Sequence, residues 1–520
     1  MSKEKTAEGK ESTSNGISRL ILIGISLIFE IVLSVVIVLW LGSYMKWIEI
    51  LIHVIGAVLV LIIYSQPRTA SVKMPWIVLI MALPIFGVTL YLLLGLGIGT
   101  GKMKREYARV DEALFPLLNE NTDAYERLCS KDGRAGNLTR YIYSKAGYPV
   151  YDDSEIVYYD DAAKGIEAQK EELRKAEKFI FMAYHAIENA ESWKSVQKIL
   201  EERVKAGVEV RVFYDDMGSI GFINMDFVKL LESKGIHCRV FNPFMKGFHL
   251  FMNNRDHRKI TVIDGKVGFT GGYNIANEYF NITHPYGHWK DTGVKITGNA
   301  VKSLTVAFLE MWNAIRGDDE NDTDYAKFMP DAEKHGPEGN GFIAPYADLP
   351  IDNEHVGEDV YISMAEYAKD YVWYITPYLI LTDEMIHSLG LAAKRGVDVR
   401  VITPGIPDKK IVYSVTRSYY HSLVRYGVRI YEYTPGFCHC KMSVADDMLA
   451  TCGTINMDYR SLYHHFENGC LYADCDAVMD TKHDFEKTMA ECREVTDEYK
   501  APTAGKNLWM LLLRFIAPLM

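Results

Sequence analysis

The stretch DHRKITVIDGKVGFTGGYNIANEY (256–279) has a counterpart in HCKMSVADDMLATCGTINMDY (439–459). His257 and His439, Lys259 and Lys441, Asp264 and Asp446, and Asn274 and Asn456 all stand 182 residues apart. A single His-x-Lys carries no information. Four positions held in register mark an internal duplication. Alternation along the strand "HRKITVID" puts His257 and Lys259 on one face, two residues apart. The Gly-rich turn that follows brings Asn274 back to the same end, and Asn456 returns in the same way beside His439 and Lys441.

The duplication extends outward from these motifs. KFIFMAYHAI (178–187) and DYVWYITPYLI (370–380) read as buried strands. Each precedes a helical stretch and a second strand, AGVEVRVFYDD (206–216) in one case and RGVDVRVITPG (395–405) in the other. KGIHCRVFNP (234–243) matches YGVRIYEYTP (426–435). Strands alternating with helices predict an α/β fold made of two similar half-domains, residues 135–320 and 340–500. The charged, Gly-containing stretch Gly317–Asn340 is the expected connection.

Two such halves facing each other gather two imidazoles, two ammonium groups and two amides around one small space. That set suits a phosphodiester. Lysines and asparagines neutralise the non-bridging oxygens. One imidazole attacks phosphorus; the other protonates the departing alcohol and later deprotonates the incoming one. The lysines supply the positive charge, so neither a metal nor a cofactor is expected.

The first hundred residues differ in kind. Leu20–Ser43, Ile48–Tyr64 and Pro75–Leu96 are apolar runs joined by short links. Each is about long enough to span a bilayer, the second at the short limit. A cleaved signal would show one shorter run. Residues 1–110 are therefore expected to form a retained anchor of two or three transmembrane helices. With three crossings, Lys3, Lys5, Lys10, Arg19, Arg68 and Lys73 face Lys46, Lys102, Lys104, Arg105 and Arg109 across the membrane. This balance leaves orientation undecided. The tail NLWMLLLRFIAPLM (507–520), within residues 506–520, is expected to lie on a membrane surface. A net charge of -11 argues against a nucleic-acid partner. Eight scattered cysteines fit free thiols in a reducing compartment.

The paired motifs resemble the HKD motifs of the phospholipase D superfamily, over roughly residues 135–500. PWIVLIMALPIFGVTLYLLLG (75–95), INMDYRSLYHHFEN (455–468) and the apolar tail resemble the corresponding parts of bacterial cardiolipin synthases. The resemblance implies two α/β halves sharing one active site. It implies transfer of a phosphatidyl group from one phosphatidylglycerol to another with release of glycerol, through a phosphohistidine. It also implies a carboxylate downstream of each motif that holds the motif's histidine by the ring nitrogen not used in catalysis. Glu467, eleven residues after Asn456, and Asp291 in HWKDTGVKI (288–296) match that position. Asp264 and Asp446 read as anchors of the motif. Many superfamily members carry Ser or Thr where Gly272 stands, and Thr454 keeps the hydroxyl in the second half. Family pattern and a less crowded Gly272 side favour His257 as nucleophile. The resemblance further implies the plasma membrane, with the catalytic halves on the cytoplasmic side, where the substrate is made.

Two decoys are set aside. Asp215–Asp216 at a strand end reads as structural rather than as a metal site. Cys438 and Cys440 flank His439, but alternation points both thiols away from the histidine face. Two other functions compete with transfer. A hydrolase of the same superfamily would use water as acceptor, and an inactive membrane scaffold would need neither motif. The oligomeric state stays open.

Overall fold

The computed structural model describes residues 46–66, 69–92, 100–118, 121–223, 226–243, 254–315, 322–331 and 341–501, with a few positions nearer the termini. The first half is a seven-stranded sheet. Its strands are β1 (Ser154–Tyr159), β2 (Phe179–Tyr184), β3 (Glu209–Asp215), β4 (His237–Phe241), β6 (Lys259–Ile263), β7 (Val267–Gly271) and β9 (Gly293–Gly298), in the order β1-β9-β7-β6-β2-β3-β4. The short strands β5 (Arg255–Asp256) and β8 (His288–Lys290) lie off this sheet. The second half repeats the plan with β10 (Phe342–Asp348), β11 (Tyr371–Ile375), β12 (Asp398–Pro404), β13 (Arg429–Tyr433), β14 (Gly436–Cys438), β15 (Met442–Ala445), β16 (Leu449–Gly453), β17 (His465–Ala473) and β18 (Cys492–Glu494). Its order is β10-β17-β16-β15-β11-β12-β13-β18. In each sheet the three strands β2-β3-β4 or β11-β12-β13 are parallel, and the others antiparallel.

Helix Val301–Ile315 is buried nearly all round, its polar Ser303, Thr305, Glu310 and Asn313 included. Phe308 on it stacks on Phe181 of β2 with ring centroids 4.6 Å apart, and Trp312 lies one turn on. Burying each such ring is worth about 1.5–3 kcal/mol. One apolar core runs from this helix into the sheet of the second half, so the halves share their interior.

The spans expected of the amino-terminal apolar runs are not borne out among the described residues. No helix among the described residues is long and apolar enough to cross a membrane. Helix Lys46–Ser65 carries Lys46, Glu49 and His53. The third run breaks at Leu83, whose backbone is not helical, into helices Ala70–Ala82 and Pro84–Leu90. At 1.5 Å per residue the longer piece reaches about 20 Å, short of a hydrocarbon core of about 30 Å. Leu59 and Ile63 pack against Trp76, Ile80, Val88 and Tyr91. Ser71 Oγ donates to Asp383 Oδ2 of the second half at 3.2 Å. Most of the run Leu20–Ser43 lies outside the described residues, as does most of the 317–340 connection. Of the carboxy-terminal tail, Leu513 and Ala517 are buried and Arg514 lies over the Tyr419 ring.

Candidate active site

Strand β6 and the residues before it deliver the first motif. Asp215, at the end of β3, accepts from the Asp256 backbone N–H at 3.0 Å and lies 3.5 Å from Arg255. It is a structural tie to β5, the strand that presents His257. Asp264 sits at φ 53° and Asp446 at φ 51°, in the left-handed region that Asp tolerates better than most residues. Asp264 accepts from the backbone N–H groups of Glu177, Lys178 and Phe179, each at 2.8 Å. Asp446 does the same for Lys369, Asp370 and Tyr371. Both anchor the motif strand to the strand beside it. Their hydrogen bonds go to these backbone groups and, for Asp446, also to Arg134 Nη1 at 3.4 Å, not to the histidines.

The two halves exchange strands at the centre. β5 runs parallel to the start of β17, and β14 runs parallel to β8. In consequence the His257 N–H donates to the Phe466 carbonyl at 2.8 Å, and the His439 N–H to the Lys290 carbonyl at 2.7 Å. Phe466 and Lys290 each precede a carboxylate. The carboxylate that follows therefore reaches the other half's histidine. His257 Nδ1 is 2.9 Å from Glu467 Oε2, and His439 Nδ1 is 2.7 Å from Asp291 Oδ2. This corrects the own-half pairing inferred from sequence order. The residues are those named, but the partners are crossed.

The site is enclosed and polar. His257, His439, Lys259 and Lys441 are all buried. Burial, then the charges of Lys259 and Lys441, hold the His257 imidazole well below its usual range; burial and the same lysines do so for His439. Both rings are thus neutral near pH 7, with Nδ1 engaged and Nε2 left for chemistry. Burial pushes Lys259 down to about 7 and lowers Lys441. Burial pushes the Asp291 carboxyl up to about 7. Lys259 Nζ donates to the His257 carbonyl at 2.6 Å, and Lys441 Nζ is 2.9 Å from His439 Nδ1. Asn274 accepts from Ala186 N–H at 3.1 Å and donates to Tyr279 Oη at 2.9 Å. Asn456 Oδ1 is buried without a hydrogen-bond partner.

The halves differ around the carboxylates. Thr454 Oγ1 donates to Glu467 Oε2 at 2.5 Å. At Gly272, its counterpart, an added Cβ would sit 2.1 Å from Asp291 Oδ1. The space expected beside Gly272 is filled by Asp291. His439 is packed among the rings of Tyr279, Trp289 and Phe437. His257 instead neighbours two further imidazoles, His185 at 5.0 Å and His465 at 5.4 Å between ring centroids. Sequence reading missed both. For His465 a signal existed: it lies two residues before Glu467 on one strand, hence on the same face.

Among the described residues, His257, His465 and Glu467 have ligand atoms within 4.8 Å of one another. Cys438, His439 and Cys440 do not form such a group. The Glu467 trio stands beside Lys259 and Lys441, whose charge opposes a divalent cation. The donor set as placed is better suited to an anion.

A family model described as cardiolipin synthase, PLD-like domain, matches residues 170–312 and 361–489. Another, described as phospholipase D-nuclease N-terminal, matches residues 51–95. An uncharacterized protein of Streptococcus mutans is 40% identical over 467 residues, covering 90% of this chain and 100% of its own. A cardiolipin synthase of Staphylococcus aureus (strain N315) is 32% identical over 470 residues, 88% of this chain and 92% of that protein. One from Geobacillus kaustophilus is 32% identical, with 86% and 88% covered. The crystal structure of phosphatidylserine synthase from Haemophilus influenzae matches with a TM-score of 0.55 at 14% identity. It covers 73% of this chain and 96% of that one, and so shares the fold.

Proposed function

We propose, since this chain belongs to the cardiolipin synthase family of phospholipase D-like proteins, that it transfers a phosphatidyl group from one phosphatidylglycerol to another and releases glycerol. The observation that carries this reading is the crossed arrangement: two neutral histidines, each oriented by the opposite half's carboxylate, around two buried lysines. Burial lowers both lysines, so the centre is held ready for an anion to share it. A phosphodiester entering between Lys259 and Lys441 favours their charged forms, and they in turn neutralise its oxygens.

His257 Nε2 attacks phosphorus, and the bond from phosphorus to the glycerol headgroup oxygen breaks. The His439 side gives that oxygen its proton, and free glycerol leaves. Asp291, with its carboxyl pushed up to about 7, lets the Asp291–His439 pair hold a proton that a buried imidazole alone would shed. The terminal hydroxyl of a second phosphatidylglycerol then loses its proton to the pair and attacks phosphorus. The phosphorus–nitrogen bond breaks, and His257 returns as neutral imidazole. Thr454 and His257 both engage Glu467, which keeps the His257 Nδ1–H in place. Asn274 and Asn456 support the phosphate oxygens.

Supported by the apolar amino-terminal runs, the chain works at the plasma membrane, with residues 1–110 and the tail 506–520 as its membrane contacts. The catalytic halves face the cytoplasm, in keeping with eight free cysteines. Purified protein given phosphatidylglycerol alone should produce cardiolipin and glycerol in equal amounts. Phosphatidic acid in place of cardiolipin would make it a hydrolase, and no turnover would make it a scaffold.

A further inference from the structure

We infer that His465 is a positioning residue for His257, acting through Glu467. The inference rests on His257 being the nucleophile proposed above. Four observations carry it. His465 stands two residues before Glu467 on β17, so both side chains leave the same face of the strand. Its Nδ1 lies 3.4 Å from Glu467 Oε1, the carboxylate oxygen that His257 does not use. Arg460 Nε donates to His465 Nε2 at 3.4 Å. An accepting Nε2 leaves the ring proton on Nδ1, directed at Glu467. Glu467 Oε1 and His465 Nδ1 are both buried, and neither has a hydrogen-bond partner beyond this 3.4 Å approach of opposite polarity.

The other half shows what this position does by comparison. Trp289 stands two residues before Asp291, as His465 does before Glu467. The Trp289 ring lies 5.3 Å from that of His439; the His465 ring lies 5.4 Å from that of His257. Each reactive histidine thus has a ring behind its carboxylate, an indole on one side and an imidazole on the other. The row Arg460–His465–Glu467–His257 places a cation and an imidazole behind His257, where the other half sets the Trp289 indole against Asp291. Arg460, Glu467, His185 and His257 are the charged and titratable groups that face His465, and Arg255 acts on Arg460. With His257 and Thr454 on Oε2 and His465 against Oε1, rotation of Glu467 is opposed, and the His257 ring keeps the direction that attack on phosphorus requires.

The test compares two substitutions of similar volume. His465→Asn keeps an N–H donor near the place of Nδ1; His465→Leu removes it. Turnover of phosphatidylglycerol by the His465→Leu protein should fall about 10- to 100-fold, the range for groups that orient a reactive residue. KM should change little, and formation of the phosphatidyl-enzyme should slow in proportion. His465→Asn should stay within about threefold of the unchanged protein in both readouts. Imidazole added to a His465→Ala protein should restore part of the rate. Equal rates for the Leu and Asn proteins, whether both high or both low at matched melting temperature, would overturn the inference. So would a loss confined to KM. If the Leu protein does not fold, His465→Ala with and without imidazole decides, and absence of rescue counts against the inference. An unchanged protein that forms no adduct at all would instead sink the nucleophile assignment, a separate outcome.

Discussion

Glu467, from the second half, orients His257, from the first, through a 2.9 Å contact to Nδ1. Asp291 does the same in reverse for His439 at 2.7 Å. With His257 as the proposed nucleophile and His439 as the proposed acid, the crossing gives each carboxylate a step of its own. Glu467→Gln should suppress formation of the phosphatidyl-enzyme, because it disturbs the nucleophile. Asp291→Asn should let the adduct form slowly, because it disturbs the acid. Both should lower turnover by at least about 10- to 100-fold. Quench-flow trapping of labelled lipid on each variant checks this. A normal burst with Glu467→Gln and none with Asp291→Asn would reverse the roles of the two histidines.

The histidines themselves give the companion result. His257→Ala should accumulate no covalent lipid. His439→Ala should accumulate some, since a neutral His257 Nε2 remains and only leaving-group protonation is lost. Each replacement should cost about 100- to 10,000-fold or more in turnover, the range for acid–base and nucleophilic groups. Mass spectrometry of the trapped protein locates the label, and a label on His439 would exchange the assignments.

Turnover should survive exhaustive chelation. In the proposed reaction the positive charge facing the phosphate comes from Lys259 and Lys441, both buried within the site. Activity measured after dialysis against chelator should match that before. Loss on chelation with recovery on adding one divalent ion would show that the lysines are not the electrophilic partners of the phosphate.

Much of this architecture was legible in the chain, because the duplication is written in both sequence and strand order. The motif strands β6 and β15, and the strands β2 and β11 beside them, lie where alternation and apolar runs put them. Two things were not legible. Partner exchange depends on β5 pairing β17 and β8 pairing β14, which are contacts between halves. Spacing within one half carries no record of those contacts. The break of the third apolar run was hidden for another reason. Pro84 begins a new helix after a nonhelical Leu83, whereas Pro75 is accommodated inside the preceding one. Hydropathy alone does not tell these two prolines apart.

Gly272 tests whether the inequivalence of the halves matters. Its counterpart Thr454 donates to Glu467, which invites the idea that a hydroxyl would help at both places. Gly272→Thr should do the opposite, because its Cβ would fall 2.1 Å from Asp291 Oδ1. Asp291 must then move, and His439 loses its orienting partner. Turnover should fall by about 10-fold or more, while Thr454→Ser should remain close to unchanged. A fully active Gly272→Thr protein would show that Asp291 has room to relocate without consequence.

A carboxyl pair away from the site, Glu310 buried and Asp111 half-buried, sets a pH dependence of stability. Glu310 lies in helix Val301–Ile315 and Asp111 in helix Thr100–Leu114. Burial pushes Asp111 up to about 7, and burial followed by the nearby Asp111 pushes Glu310 well above its usual range. Tyr148 donates to Glu310 Oε2 at 3.0 Å. The folded protein therefore binds protons on this pair that the unfolded chain, with ordinary carboxylates, has released at the same pH. Stability from this source is complete below the ordinary carboxyl range and is lost as pH rises through about 7 and beyond. The melting temperature should be higher at pH 6 than at pH 8.5. Glu310→Gln, which keeps the shape and cannot ionise, should flatten that difference and raise the melting temperature at pH 8.5. Other buried carboxyls such as Asp215, pushed up to about 6, titrate in both proteins, so the comparison between the two isolates the pair. Identical pH profiles with and without Glu310→Gln would mean that the pair is already ionised and compensated in the folded state.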